Sequence, residues 1–82
     1  MQISKTQRTE TKRLDLNRYS YDNVTEFSFT TTRKLTDDAV LEVLKENGIN
    51  LYGFISFTKQ VVDFSIEQMA DVFKYTAREV MC

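Results

Sequence analysis

Histidine, proline and tryptophan are absent from this 82-residue chain, and cysteine occurs once, as the final residue Cys82. Without an imidazole, Ser-His-Asp triads, Cys-His dyads and histidine-containing zinc sites are all excluded. One cysteine cannot close a disulfide within the chain, and a lone terminal thiol fits a reducing compartment better than a secreted one. Two glycines, Gly48 and Gly53, cannot build a phosphate-cradling loop. No apolar run approaches the length of a membrane span, and the opening Met1-Gln2-Ile3-Ser4-Lys5 lacks the apolar core of a signal peptide. A cytoplasmic protein without cofactor, metal or catalytic residues is therefore expected.

Hydrophobic residues make up 41% and charged residues 28% of the chain, a balance that buries a core. The length allows one domain. A net charge of −1 argues against indiscriminate nucleic-acid binding. The charge is unevenly spread, since residues 1–34 carry seven Lys/Arg against four acids and residues 35–82 four against eight. Residues 1–11 have almost no apolar content and read as a flexible basic arm, leaving 12–82 as a single α+β domain.

Arg13 to Arg18 alternates as a short strand, Tyr19 to Asn23 is turn-like, and Val24 to Thr31 reads as a second strand. A helix follows, with Thr36 as N-cap, Asp37 and Asp38 at the positive end of its dipole, and Leu35 stapled onto Val40. Val40, Val43 and Leu44 form its buried stripe, and Asn47-Gly48 stops it. Leu51 to Thr58 alternates, with Leu51, Gly53, Ile55 and Phe57 facing one way and Tyr52, Phe54 and Ser56 the other. A turn at Lys59-Gln60 leads to a fourth strand over Val61–Phe64, with helix from Lys59 as the other reading. Ser65 and Gln68 complete a capping box, and Ile66, Met69, Ala70, Phe73, Ala77 and Val80 follow helical spacing to the end. The expected order is β-β-α-β-β-α, a two-layer ferredoxin-like variant with a four-stranded antiparallel sheet and two helices on one face.

Asp37-Asp38 and Glu42/Glu46 read as dipole partners and a solvated helix face, and Thr36 and Ser65 as caps, rather than as catalytic groups. From Asn50 to Phe57 the chain resembles the aromatic octet of RNA-recognition-motif domains at six of eight positions, departing at Asn50 and Leu51. The resemblance implies that Tyr52 and Phe54 would stack on bases. Ile66 to Cys82 resembles the opening of a helix-turn-helix, with Lys74 in place of the turn glycine.

A half-covered sheet buries its open face in a homodimer or presents it to a partner. The leading expectation is a small binding protein that inhibits or regulates by protein contact, through Tyr52, Phe54 and Ser56 on the sheet and Val72 and Tyr75 on the last helix, beside Glu79. In its compact form it resembles the accessory proteins of phages and mobile elements, many of which block or modulate a host complex. The alternative is a single-stranded RNA or DNA module using Lys5, Arg8, Lys12 and Arg13 with Tyr52 and Phe54.

Overall fold

The computed structural model describes residues 2–81, so Met1 and the terminal thiol of Cys82 lie outside the described residues. The elements are β1 (Ser4–Asp15), β2 (Arg18–Thr31), α1 (Asp37–Glu46), β3 (Phe54–Ser65) and β4 (Ala70–Met81). They form one sheet in the order β1-β2-β4-β3, with every neighbouring pair antiparallel. β4 is thus a central strand, and β2 and β3 run parallel to each other on its two sides.

The helix forms where its punctuation places it. Thr36 Oγ1 accepts a hydrogen bond from the Ala39 amide at 3.2 Å. At the other end Gly48 adopts φ +77°, which lets the Ile49 amide reach back to the Leu44 carbonyl at 2.9 Å. Val40 and Leu44 are buried against Phe27 and Phe29 of β2 and Tyr75 and Ala77 of β4, with Phe57 of β3 packed at the margin. Ten helical residues span about 15 Å, whereas the molecule measures 54 × 24 × 18 Å. The helix therefore covers only the middle of one face. The β1–β2 turn projects from one end of the sheet and the β3–β4 turn from the other, because Arg18 begins β2 while Thr31, at its far end, pairs with Phe73 near the start of β4.

The expected second helix is not formed, and with it falls the two-helix ferredoxin-like arrangement: the described residues make four antiparallel strands, one helix and a mostly-β open sheet. Residues 70–81 are strand. The helical spacing and the strand alternation share Phe73 and Ala77, so those two residues cannot discriminate. Tyr75 and Glu79 can, because a helix would leave them off the buried stripe and both are buried. Val72, Thr76 and Val80, together with Phe73 and Tyr75, also carry the β-branched and aromatic preference for a pleated surface. Pairing with β2 on one side and β3 on the other then decides the outcome. The capping contact at Ser65 does form, since its Oγ accepts from the Gln68 amide at 3.3 Å. It closes a single turn, because Met69 adopts φ +53° and sends the chain back as β4. The helix-turn-helix resemblance of residues 66–82 falls with the helix.

Three boundaries also move. Most of the segment expected as an arm, Ser4 to Thr11, is strand β1, paired with β2 from Ser4↔Ser28 to Thr11↔Tyr21. Tyr19 to Asn23 lies within β2, and the turn falls at residues 16–17, where Asp15 Oδ1 accepts from the Asn17 amide at 2.9 Å. Lys59 and Gln60 lie inside β3, which continues to Ser65 through an irregularity between Val61 and Asp63.

Tyr75 joins these parts. Its ring stacks on Phe29 with centroids 5.3 Å apart, its hydroxyl donates to the Arg33 carbonyl at 2.7 Å, and it accepts from the Leu35 amide at 2.9 Å. Substituting Tyr75→Phe keeps the ring and leaves both backbone groups without that partner. It should lower unfolding free energy by about 1–3 kcal/mol, read as a lower urea midpoint with an unchanged slope.

Candidate functional site

The sheet corner where β3 begins gathers the aromatic residues singled out in the sequence. Tyr52 is 81% exposed and Phe54 is 76% exposed, so neither contributes to the core. Their backbone is nonetheless fixed from below. Glu79, buried on the helix side of β4, accepts hydrogen bonds from the Tyr52 and Gly53 amides through one carboxylate oxygen, the second at 3.2 Å. Gly53 crosses close to the end of β4, and a Cβ there would stand 2.5 Å from the Val80 carbonyl oxygen and 2.8 Å from Met81 Cγ. The absence of a side chain at 53 is what lets this segment lie against β4.

The two aromatics share a corner, not a face. Phe54 pairs with Val80 and stands on the open face, followed there by Ser56 opposite Arg78. Tyr52 borders a shallow groove on the helix side, with Leu41, Leu44, Ile49, Leu51 and Ile55. They straddle the outer edge of β3, which among the described residues has no strand beyond it. The first five residues of that edge, Phe54 to Thr58, carry no charge, and the next, Lys59, is paired with Asp37 of α1 at 2.7 Å. β1, the opposite edge, carries Lys5, Arg8, Glu10, Lys12, Arg13 and Asp15. Charges of this kind keep an edge from pairing with other chains, and the start of β3 lacks them.

Of the remaining expected site residues, Tyr75 is in the core and cannot meet a partner from a helix surface. Val72 is half-buried on β4, opposite Asp63. The basic residues do not gather into one patch. Lys5 lies over the Phe27 ring at 5.8 Å on the helix side, while Arg8 belongs to the open face. Lys12 pairs across from Ser20, and Arg13 sits opposite Tyr19 with its Nε donating to the Asp15 carbonyl at 3.2 Å.

The centre of the open face is polar and internally paired. Arg8 Nη2 meets Glu26 Oε1 at 2.8 Å and Glu10 Oε2 at 3.0 Å, and Arg78 reaches from β4 to Glu10 on β1. By the register this last pair passes diagonally over β2 at Val24, which is only 1% exposed although it lies on the uncovered side. Glu26, Ser28, Thr76 and Arg78 occupy the central strands there, so Phe54 has no aromatic neighbour across the strand to extend a stacking surface. Sequence reasoning missed this cluster because its four members lie on three strands. The alternation of Arg8 with Glu10 in the arm is its one local trace.

Among the described residues, no group of three or more His, Cys, Asp and Glu side chains is placed to hold a metal ion, and no helix is long and apolar enough to cross a membrane. Comparison with protein-family models, characterised proteins and solved structures returned no match.

Two outcomes follow from this geometry. Gly53→Ala forces a methyl group against backbone and should destabilise the protein by about 1–3 kcal/mol, measured by chemical denaturation. Glu26 is held below the usual carboxylate range, chiefly by its hydrogen bond from Arg8. A carboxylate whose folded pKa is depressed stabilises at neutral pH, and that contribution is lost as pH falls through the lowered value. Melting temperature recorded from pH 7 into the acid range should fall more steeply in the native protein than in Glu26→Gln, which has no proton to take up.

Proposed function

We propose that this protein is a non-enzymatic binding protein that inhibits or regulates a protein partner by contact, and that the partner adds to the corner formed by Tyr52 and the start of β3. The observation that carries this reading is an uncharged, unpaired strand edge flanked on its two sides by Phe54 and Tyr52. An incoming extended segment would gain main-chain hydrogen bonds along the edge, with the flanking side chains selecting among segments. Aromatic residues of this size supply most of the energy where they anchor interfaces. The anchoring of Tyr52 and Gly53 by Glu79 reduces what binding must order. A reducing cytoplasm is the setting that suits a chain whose single cysteine is Cys82.

The single-stranded nucleic-acid alternative draws less support. Base stacking wants neighbouring rings over a positive groove, whereas Tyr52 and Phe54 lie on different sides of the edge and Arg8 and Arg78 are neutralised by Glu10 and Glu26.

Immobilised native protein and the Tyr52→Ala/Phe54→Ala variant should be compared in bacterial lysate with and without nuclease treatment. The native protein should retain a partner protein in stoichiometric amount, and the double variant, folded by circular dichroism, should lose it. Equal retention by the two proteins contradicts the proposed corner, and retention that disappears with nuclease contradicts protein contact.

A further inference from the structure

The two hairpin turns lie at opposite ends of the 54 Å long axis, beyond the part of the sheet that α1 covers. Each carries large apolar side chains into solvent. At the β1–β2 end these are Leu14, Leu16, Tyr19 and Tyr21, with Leu16 79% exposed. At the β3–β4 end they are Val62, Phe64, Ile66 and Met69, with Ile66 81% and Met69 74% exposed. Neither group takes part in the core. Met69 also holds φ +53°, a left-handed conformation that disfavours a residue with a Cβ.

The two ends carry opposite charge. Residues 12–21 hold three bases (Lys12, Arg13, Arg18) against one acid (Asp15), a net of +2. Residues 60–73 hold three acids (Asp63, Glu67, Asp71) and no base, a net of −3. An acid-rimmed apolar tip is repelled by an anionic membrane and by nucleic acid, and is matched by a base-rimmed apolar surface. The opposite end of a second copy is such a surface.

We propose that the protein self-associates head to tail, the basic β1–β2 tip of one copy docking on the acidic β3–β4 tip of the next. The contact is heterologous, joining two different surfaces, so it leaves one tip of each kind unsatisfied in a dimer and continues into a closed ring or an open chain. It uses neither Tyr52 nor the start of β3, and so stands or falls independently of the partner-binding corner.

The test is mass in solution by sedimentation velocity, for the native protein and for two variants that each remove the apolar surface and the charge of one tip: Leu16→Glu/Arg18→Glu, which takes residues 12–21 from +2 to −1, and Ile66→Lys/Glu67→Lys, which takes residues 60–73 from −3 to 0. All four positions are exposed, and circular dichroism checks that both variants fold. The native protein should exceed the mass of one chain increasingly with concentration, and high salt should return it toward the monomer. Each variant alone should be monomeric. An equimolar mixture of the two should give a one-to-one dimer and nothing larger, because only one intact basic tip and one intact acidic tip can then meet. A native protein that stays monomeric at millimolar concentration overturns the proposal. So does assembly unaffected by salt, or a folded single-tip variant that still associates by itself, which would point to a two-fold contact instead.

Discussion

In the middle of β4 the Tyr75 ring lies on Phe29 while its hydroxyl closes the turn leading into α1, donating to Arg33 and accepting from Leu35. That one side chain ties the centre of the sheet to the segment that positions the helix. Among the described residues β3 pairs with no strand except β4, so the edge that carries Phe54 exists only if residues 70–81 are extended. The same extension turns Glu79 inward, where it holds Tyr52 and Gly53. Helix placement, the β3 edge and the exposed aromatic corner all follow from Tyr75 and its strand being in place.

The two faces of the sheet solve different problems. The covered face buries Phe27, Phe29, Tyr75 and Ala77 beneath Val40 and Leu44, and apolar burial supplies its stability. The uncovered face shields Val24 with Arg8, Glu10, Glu26 and Arg78, whose pairing across three strands favours one register of β1 on β2 and one of β4 on β2. Surface ion pairs of this type add little stability individually. Their effect on the character of this face is larger, since paired charges fill its centre and the exposed apolar side chains stand at its margins, at the β3 corner and the two tips.

Local signals wrote the helix plainly: Thr36, Asn47, Gly48 and the Val40/Leu44 stripe each act within a few residues. The exposure of Phe54 on the open face was legible in the same way, from alternation, whereas Tyr52, expected on that same face, is exposed on the helix side of the edge. The C-terminal strand was not, because Ser65 and Gln68 do make a helix-like cap, and Phe73 and Ala77 satisfy both periods. What decides between them is pairing with residues 23–31 and 54–65, and sequence spacing carries no record of such distant contacts. The polar segment 4–11 misleads for a related reason. An edge strand with no apolar core-facing run looks like a tail until its partner is known. Glu79 runs against hydrophobic alternation, and the two amides that compensate it lie 26 and 27 residues away.

Residue-resolved amide hydrogen exchange on the native protein is the most direct measurement of this arrangement. The account predicts that the Leu35 amide, although in a connecting segment, is protected to the same degree as the central amides of β4 from Phe73 to Ala77, because all of them open only when the core does. Rapid exchange at Leu35, or residues 70–81 exchanging as a fraying terminus, would contradict the claim that Tyr75 and its strand hold the fold together.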